Sequence, residues 1–106
     1  MLFRSEDINE RPYRVDRSMT QLLQAGVLSQ VSGIVFGEMK GCQEGEAGLT
    51  ARFVAEQLSD VFDGPIAYGF PSGHTSGPMW SLPLGVRVTL DAGEQATLVI
   101  EESPVA

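Results

Sequence analysis

The sequence predicts a small α/β domain with a mixed sheet, in the element order β-α-β-α-β-loop-β-β. Two stretches with helical apolar periodicity separate three short apolar runs, a pattern typical of parallel strands joined by helical crossovers. Two alternating stretches joined by a turn then close the chain and predict an antiparallel hairpin. The length of 106 residues fits one domain.

The first strand and helix are indicated by the opening residues. Leu2 and Phe3 form a short apolar start, which we interpret as the end of a strand running into a polar loop. Pro12 suits the first turn of a helix, because its missing N–H costs nothing there. Apolar residues then recur with a period near 3.6 and predict one buried helix face that stops at a glycine: Val15, Met19, Leu22, Leu23 and Gly26.

A buried strand and a second helix follow. The run Ile34-Val35-Phe36 is fully apolar and stands between two glycines, so we expect a buried strand. Residues 40–48 carry Gly, Gln and Glu without a period and predict a loop. Thr50 suits the cap of the second helix, and the sequence Asp63-Gly64-Pro65 suits its end. Its inner face is predicted to comprise Phe53, Val54, Leu58, Val61 and Phe62.

The last strands surround a loop that carries the one histidine. Residues 66–68 predict a third short strand that leads directly into this loop. Two later stretches alternate apolar and polar residues, around Val86, Val88 and Leu90 and around Ala96, Leu98 and Ile100. The sequence Asp91-Ala92-Gly93-Glu94 between them predicts the turn of a hairpin.

Charge and cysteine content exclude several classes of partner and site. A net charge of −7, from 14 acidic against 7 basic residues, argues against binding to nucleic acid or to an anionic membrane surface. No apolar run approaches the ~20 residues of a spanning helix, and the start shows no signal-peptide pattern. The single cysteine excludes an internal disulfide. We therefore expect a cytoplasmic protein.

Residues 69–78, which contain His74, are the best candidate for a functional loop. Glycine and proline at this density suppress regular structure, and histidine is the usual proton carrier near neutral pH. A lone loop histidine is nevertheless more often a plain exposed polar residue. Five carboxylates stand outside the obvious helix surfaces: Glu6, Asp7, Glu10, Glu38 and Asp63. Glu6 and Asp7 follow a strand end, where functional groups of open α/β sheets gather, although a solvated loop also explains them.

Other site types find little support in the chain. No serine stands in a Gly-x-Ser-x-Gly elbow, and Ser72 and Ser76 have flexible glycine-rich neighbours. One histidine and one cysteine, Cys42, match no metal-ligand spacing, and Cys42 fits a buried or idle thiol. The glycine-rich loop lacks the lysine and the following helix of a phosphate loop, so no cofactor is expected. Trp80 fits either the wall of a ligand pocket or a packing anchor.

Three blocks of the chain together resemble one family, the serine-type LD-carboxypeptidases. Residues 2–17, LFRSEDINERPYRVDR, resemble the family segment LFLEDI-x-E-x-PYRIDR, and residues 33–37, GIVFG, resemble its next strand. The segments YGFPSGH, residues 68–74, and LPLGVRVTLD, residues 82–91, resemble the signature GFPFGH…LPLG…LD. The blocks fall in the family's order and cover nearly the whole chain. The family includes the muramoyltetrapeptide carboxypeptidases and the MccF-type microcin-immunity peptidases.

The resemblance implies a two-domain enzyme with a Ser-Glu-His triad and no cofactor. The serine and the oxyanion donors would belong to an N-terminal domain, and the glutamate and histidine to a swivelling C-terminal domain. By motif position, Glu6 is the acid and His74 the base. Arg4 and Ser5 depart from the apolar residue that is usual before the glutamate, so Asp7 is the alternative acid.

The resemblance also implies what accompanies this chain. Residues 1–106 correspond to the Glu- and His-bearing domain without its first strand, and the serine-bearing domain is missing. We therefore expect the chain alone to be inert, and to self-associate as a homo-oligomer through an exposed sheet edge.

Three functions stay open at this point. The first is hydrolysis of cell-wall peptides such as a murein tetrapeptide, the second is cleavage of a peptidyl-nucleotide, and the third is a non-catalytic folding or dimerisation fragment. The short segment 40–48 leaves little room for a nucleotide clamp and favours the first.

Overall fold

A computed structural model describes residues 1–43, 50–103 and 105 of the chain. It contains five strands, two α-helices and one 3₁₀ turn. In chain order these are β1 (Leu2–Ser5), α1 (Pro12–Gln24), the 3₁₀ turn (Leu28–Gln30), β2 (Gly33–Gly37), α2 (Ala51–Leu58), β3 (Ile66–Phe70), β4 (Val88–Asp91) and β5 (Thr97–Ile100). The predicted α/β class and element order are confirmed.

The described strands form two separate sheets, one parallel and one antiparallel, where the sequence predicted one mixed sheet. β1, β2 and β3 lie side by side in that order and are all parallel, because each pair is joined by a helical crossover. β4 and β5 form the predicted antiparallel hairpin, in which Val88 lies opposite Ile100. Within the described strands, β1 and β3 are the edges of the parallel sheet. The expected self-association through a sheet edge stays a prediction.

The first helix follows its predicted pattern closely. Pro12 occupies the first helical turn, and Gly26 has a left-handed φ of 79° just beyond the end of the helix. Val15 and Met19 are buried, and Leu22 packs partly against the core. Leu23 is 39% exposed, so the buried face is narrower than predicted.

The second helix has its predicted start but a different inner face. The hydroxyl of Thr50 accepts the backbone N–H of Phe53 at 3.2 Å, which confirms the cap. Phe53 and Val61 are 43% and 58% exposed, so their predicted place on the inner face is wrong. The helix ends at Leu58, so its predicted end at Asp63-Gly64-Pro65 is wrong. Its buried residues recur at helical spacing as Ala51, Val54, Ala55 and Leu58. Phe62 reaches the core from the turn that follows.

The hydrophobic core lies between the parallel sheet and the two helices. All five residues of β2 are buried, and Ile34 and Phe36 face the core cluster formed with both helices. Val35 is buried on the opposite face of the sheet. On that face the hairpin comes close, since a Cβ added at Gly33 would lie 3.3 Å from Leu90 Cδ2. β2 is thus the most buried element of the described structure.

The remaining segments add two observations. Of the predicted loop at 40–48, residues 44–48 lie outside the described residues, so the argument drawn from this loop stays a prediction. Gln43 and Thr50 pair in an isolated antiparallel bridge at its base. Within the described part of the chain, neither helix is long and apolar enough to cross a membrane.

Candidate active site

Polar side chains follow all three strands of the parallel sheet at its carboxyl edge. Glu6 comes directly after β1, Glu38 comes directly after β2, and the loop with His74 leaves the end of β3. Because parallel strands present their carboxyl ends at one edge of a sheet, these three side chains converge there. Asp63 precedes β3 and therefore belongs to the opposite edge.

Glu6 and His74 form a close pair although they stand 68 residues apart in the sequence. The ring Nδ1 of His74 lies 2.8 Å from Glu6 Oε1 and 3.3 Å from Oε2. The backbone N–H of His74 donates to the same Oε1 at 2.9 Å. The side chain of Glu6 is only 12% exposed, whereas that of His74 is 56% exposed. With Nδ1–H on the carboxylate, Nε2 is the nitrogen that accepts a proton from another group.

The carboxylate of Glu6 is held in its charged form. Burial would raise the pKa of Glu6, but the backbone and side-chain hydrogen bonds from His74 outweigh it and hold the pKa below its usual value. The group is therefore an anion at neutral pH. It can orient the imidazole and stabilise the imidazolium that forms when His74 takes up a proton.

Gly37 and Gly73 have no side chain, and this absence makes room for the side chain of Glu6. A Cβ at Gly37 would lie 3.0 Å from Glu6 Cγ. A Cβ at Gly73 would overlap Glu6 Oε1, and Gly73 also has a left-handed φ of 91°. Sequence reasoning did not assign a role to either glycine. Packing therefore requires a glycine directly before His74, since any side chain at position 73 would overlap Glu6.

Glu38 binds the two residues that follow His74. Its carboxylate accepts the hydroxyls of Thr75 and Ser76, and the backbone N–H of Ser76 donates to its Oε2 at 2.9 Å. The hydrogen bonds from the Ser76 hydroxyl, the Thr75 hydroxyl and the Ser76 N–H lower the pKa of Glu38 to about 2. Sequence reasoning named Glu38 as a carboxylate without a task. The signal that identifies it is its position directly after β2, level with Glu6 after β1.

The other acidic residues near Glu6 are engaged elsewhere. Asp7 accepts the backbone N–H of Ile8 at 2.8 Å, within its own turn. Glu10 lies 3.6 Å from Arg14 across the start of α1. The carboxylate that the structure brings to His74 is that of Glu6 rather than that of Asp7.

Trp80 and Cys42 fall outside the pair. Trp80 lies edge-on to Phe70, with ring centroids 6.2 Å apart, and the backbone N–H of Trp80 donates to the carbonyl of Pro71 at 2.6 Å. It is 59% exposed, so it braces the rim of the loop and is not a buried anchor. Cys42 is buried, and burial raises the pKa of its thiol, which makes it a poor nucleophile.

Two open clefts border the sheet at opposite ends. One of about 460 Å³ lies between Glu6 and α1 and is lined by charged side chains that include Arg14 and Arg17. Another of about 740 Å³ lies at the amino ends of the strands, next to Leu2 and Pro65. Glu6 lines the smaller cleft, whereas neither Glu6 nor His74 lines the larger one.

The sequence profile described as the LD-carboxypeptidase C-terminal domain matches residues 2–90. The chain belongs to this family. Among its relatives is a Synechocystis protein that carries a provisional carboxypeptidase name, 41% identical over 96 residues, which are 88% of this chain and 31% of that protein. The microcin C7 self-immunity protein MccF of Escherichia coli is 32% identical over 92% of this chain and 28% of its own length.

A solved structure of the LD-carboxypeptidase family has the same fold. The crystal structure of muramoyltetrapeptide carboxypeptidase from Oxalobacter formigenes superimposes with a TM-score of 0.78 at 29% sequence identity. The match covers 93% of this chain and 35% of that protein. The chain thus spans about a third of the length of the LD-carboxypeptidase relatives it matches.

Proposed function

We propose that this domain is the acid–base half of a serine-type LD-carboxypeptidase, which hydrolyses the amide bond to a terminal D-amino acid in peptidoglycan peptides. The observation that carries the proposal is the hydrogen bond of 2.8 Å between His74 Nδ1 and Glu6 Oε1 in a domain of this family. An imidazole oriented by a buried carboxylate is the arrangement that activates a hydroxyl nucleophile.

In the proposed reaction His74 moves one proton in two steps. Its Nε2 takes the proton from a serine hydroxyl while the serine oxygen attacks the amide carbon. It then gives that proton to the leaving nitrogen as the amide bond breaks, which releases the terminal amino acid and leaves an acyl-enzyme. Water repeats the sequence and frees the serine. Glu6 stays ionised throughout and holds Nδ1–H.

The nucleophile in this proposal comes from a serine-bearing partner domain. The 106 residues contain no Gly-x-Ser-x-Gly elbow. Ser76 is bound to Glu38, and Ser72 is buried. We therefore propose that this chain alone is inert and that it acts only together with the serine-bearing domain. Association of copies through the edge strand β1 and a cytoplasmic location are further parts of the proposal.

The test combines this chain with a serine-bearing domain of the family and measures release of the terminal D-amino acid from an LD-tetrapeptide. His74→Ala is expected to lower kcat/KM by about 10³-fold or more, and Glu6→Gln to lower it strongly as well. Asp7→Asn is the matched control and is expected to change kcat/KM less than about threefold, within the range of surface substitutions. Loss of activity in Asp7→Asn with Glu6→Gln intact would overturn the assignment of the acid.

Immunity-type cleavage of a peptidyl-nucleotide is the second candidate. The observation that favours it is the 32% identity to MccF over 92% of this chain. The same assay with a peptidyl-nucleotide substrate separates the two, since the preferred substrate is the one with the higher kcat/KM. No activity on either substrate, with the serine domain supplied, would favour the non-catalytic alternative.

A further inference from the structure

We propose that Glu38 is a positioning residue, which fixes the loop after His74 so that the imidazole keeps its Nδ1–H on Glu6. Glu38 touches neither His74 nor any group that the proposed reaction uses, so it acts through Thr75 and Ser76. Its importance for turnover rests on the proposed function. The effect of Glu38 on the geometry of the loop is independent of the proposed function.

Two carboxylates from neighbouring strands bind three consecutive residues of the loop. Glu6 accepts the backbone N–H and the ring of His74. Glu38 accepts the hydroxyl of Thr75 and both the hydroxyl and the N–H of Ser76. A rotation of the His74 backbone away from Glu6 would also have to break the bonds to Glu38. The two sets of hydrogen bonds therefore support each other.

The loop needs such support because of its own composition. Glycines stand at positions 73 and 77, on either side of the three bound residues. Glycine allows the widest range of backbone angles, so neither neighbour restricts the path of the chain. His74 is also 56% exposed, and few packing contacts hold its ring. Between these two glycines, hydrogen bonds to Glu6 and Glu38 are therefore the contacts that fix the backbone of the loop.

Glu38 itself is attached to the most buried strand of the domain. It directly follows β2, whose residues are all buried. The next residue, Met39, is 4% exposed and has a left-handed φ of 54°, a conformation that residues other than glycine rarely adopt. The hydroxyl of Tyr68 on β3 donates to the carbonyl of Glu38 at 3.4 Å. The chain thus turns sharply at a fixed point, with Met39 in the core and the Glu38 carboxylate on the loop.

The chemistry of the three donors explains why a carboxylate is needed. An ionised carboxylate only accepts hydrogen bonds, and its two oxygens have room for all three donors. A glutamine of the same size removes the negative charge and replaces one oxygen by an NH₂ group, which cannot bond to the Ser76 N–H and bonds to a hydroxyl only if that hydroxyl becomes the acceptor. Glu38→Gln therefore tests the hydrogen bonds while it preserves the shape of the side chain.

His74 is the single histidine of the chain, so its ring gives one set of NMR signals that needs no assignment among others. In the wild-type chain we expect the Nδ1–H tautomer and slow exchange of the His74 backbone amide. In Glu38→Gln we expect ring nitrogen shifts that move toward the average of the two tautomers. We also expect amide exchange about tenfold faster, since the loss of about one hydrogen bond corresponds to that factor.

Two further substitutions make the test decisive. Thr75→Val removes one hydroxyl donor at constant size and is expected to shift the signals in the same direction, whereas Thr75→Ser keeps the donor and should restore them. Glu94→Gln removes an exposed carboxylate from the hairpin loop and is expected to leave the His74 signals unchanged. Wild-type His74 signals in both Glu38→Gln and Thr75→Val would overturn the proposal, and if Glu38→Gln does not fold, Thr75→Val against Thr75→Ser decides alone.

An activity measurement with the serine domain supplied completes the test. For a positioning residue we expect Glu38→Gln to lower kcat with KM nearly unchanged. A raised KM with full kcat would mean that Glu38 contacts substrate, which contradicts the proposal. If no variant and no wild-type sample is active, the proposed function fails while the NMR result still decides the role of Glu38.

Discussion

The parallel sheet with its helices and the segment that closes the chain differ sharply in burial. Within the first 70 residues, β2 is buried along its whole length and both helices contribute to one core. From residue 79 to residue 103, no described residue is buried, although the hairpin has a regular ladder. Glu6, Glu38 and His74 all follow strands of the enclosed sheet. The positions of these three side chains are therefore set by the buried parallel sheet, and the hairpin contributes little to them.

The largest expected effect separates the stability of the two regions. Phe36→Ala removes a ring that is fully buried in the core and should lower the free energy of unfolding by about 3–5 kcal/mol. Val99→Ala, at a position that is 49% exposed on β5, should lower it by less than about 1 kcal/mol. Urea unfolding followed by circular dichroism measures both. Similar losses would show that the hairpin shares in the core after all.

An intermediate effect compares two glycines with similar backbone angles. Gly73 and Gly85 have φ of 91° and 77°, so an alanine at either costs about 1–2 kcal/mol of backbone strain. A Cβ at Gly85 meets no atom within 4 Å in the described structure, whereas one at Gly73 overlaps Glu6. We expect both variants to lose stability, but only Gly73→Ala to lose the Nδ1–H signature of His74. The same signature in Gly73→Ala as in Gly85→Ala would contradict the close packing of Gly73 on Glu6.

The smallest expected effect is the dependence of stability on pH. Because the folded-state pKa of Glu38 is lowered from 4.5 to about 2, its hydrogen bonds stabilise the fold fully above pH 4.5 and lose this contribution as pH falls toward 2. The difference in stability between the wild-type chain and Glu38→Gln should therefore shrink over that range. Urea unfolding at several pH values between 6 and about 2.5 measures it. A difference that stays constant with pH would show that the carboxylate charge is irrelevant to the loop.

The sequence predicted the elements well where the pattern had a single physical cause. The uninterrupted apolar run around Val35 predicted a buried strand, and the alternation around Leu90 and Leu98 predicted an antiparallel hairpin; the structure has both. For α2 the apolar residues extended beyond the helix, so periodicity included Val61, which lies in the turn after Leu58. A turn is set by local backbone geometry, which apolar spacing does not report.

The site was less accessible from the sequence than the fold. Spacing alone could not join Glu6 to His74, and the pairing was expected from the resemblance of the surrounding motifs. The contact of Glu38 with Thr75 and Ser76 spans 37 and 38 residues and depends on the register of β2 against β3. That register is irregular between Val35 and Gly37, and the periodicity of the sequence does not predict such an irregularity.

Glu6 and His74 both follow strands of the same parallel sheet, and this has a consequence for motion of the domain. In the proposed two-domain enzyme, a swing of this domain against the serine-bearing domain would displace both side chains together, because one sheet carries them. Such a swing changes the reach from imidazole to hydroxyl, while the alignment between carboxylate and ring is preserved. Interdomain motion in the proposed enzyme would then control whether His74 reaches the serine hydroxyl. The hydrogen bond between Glu6 and His74 would stay the same in both positions of the domain.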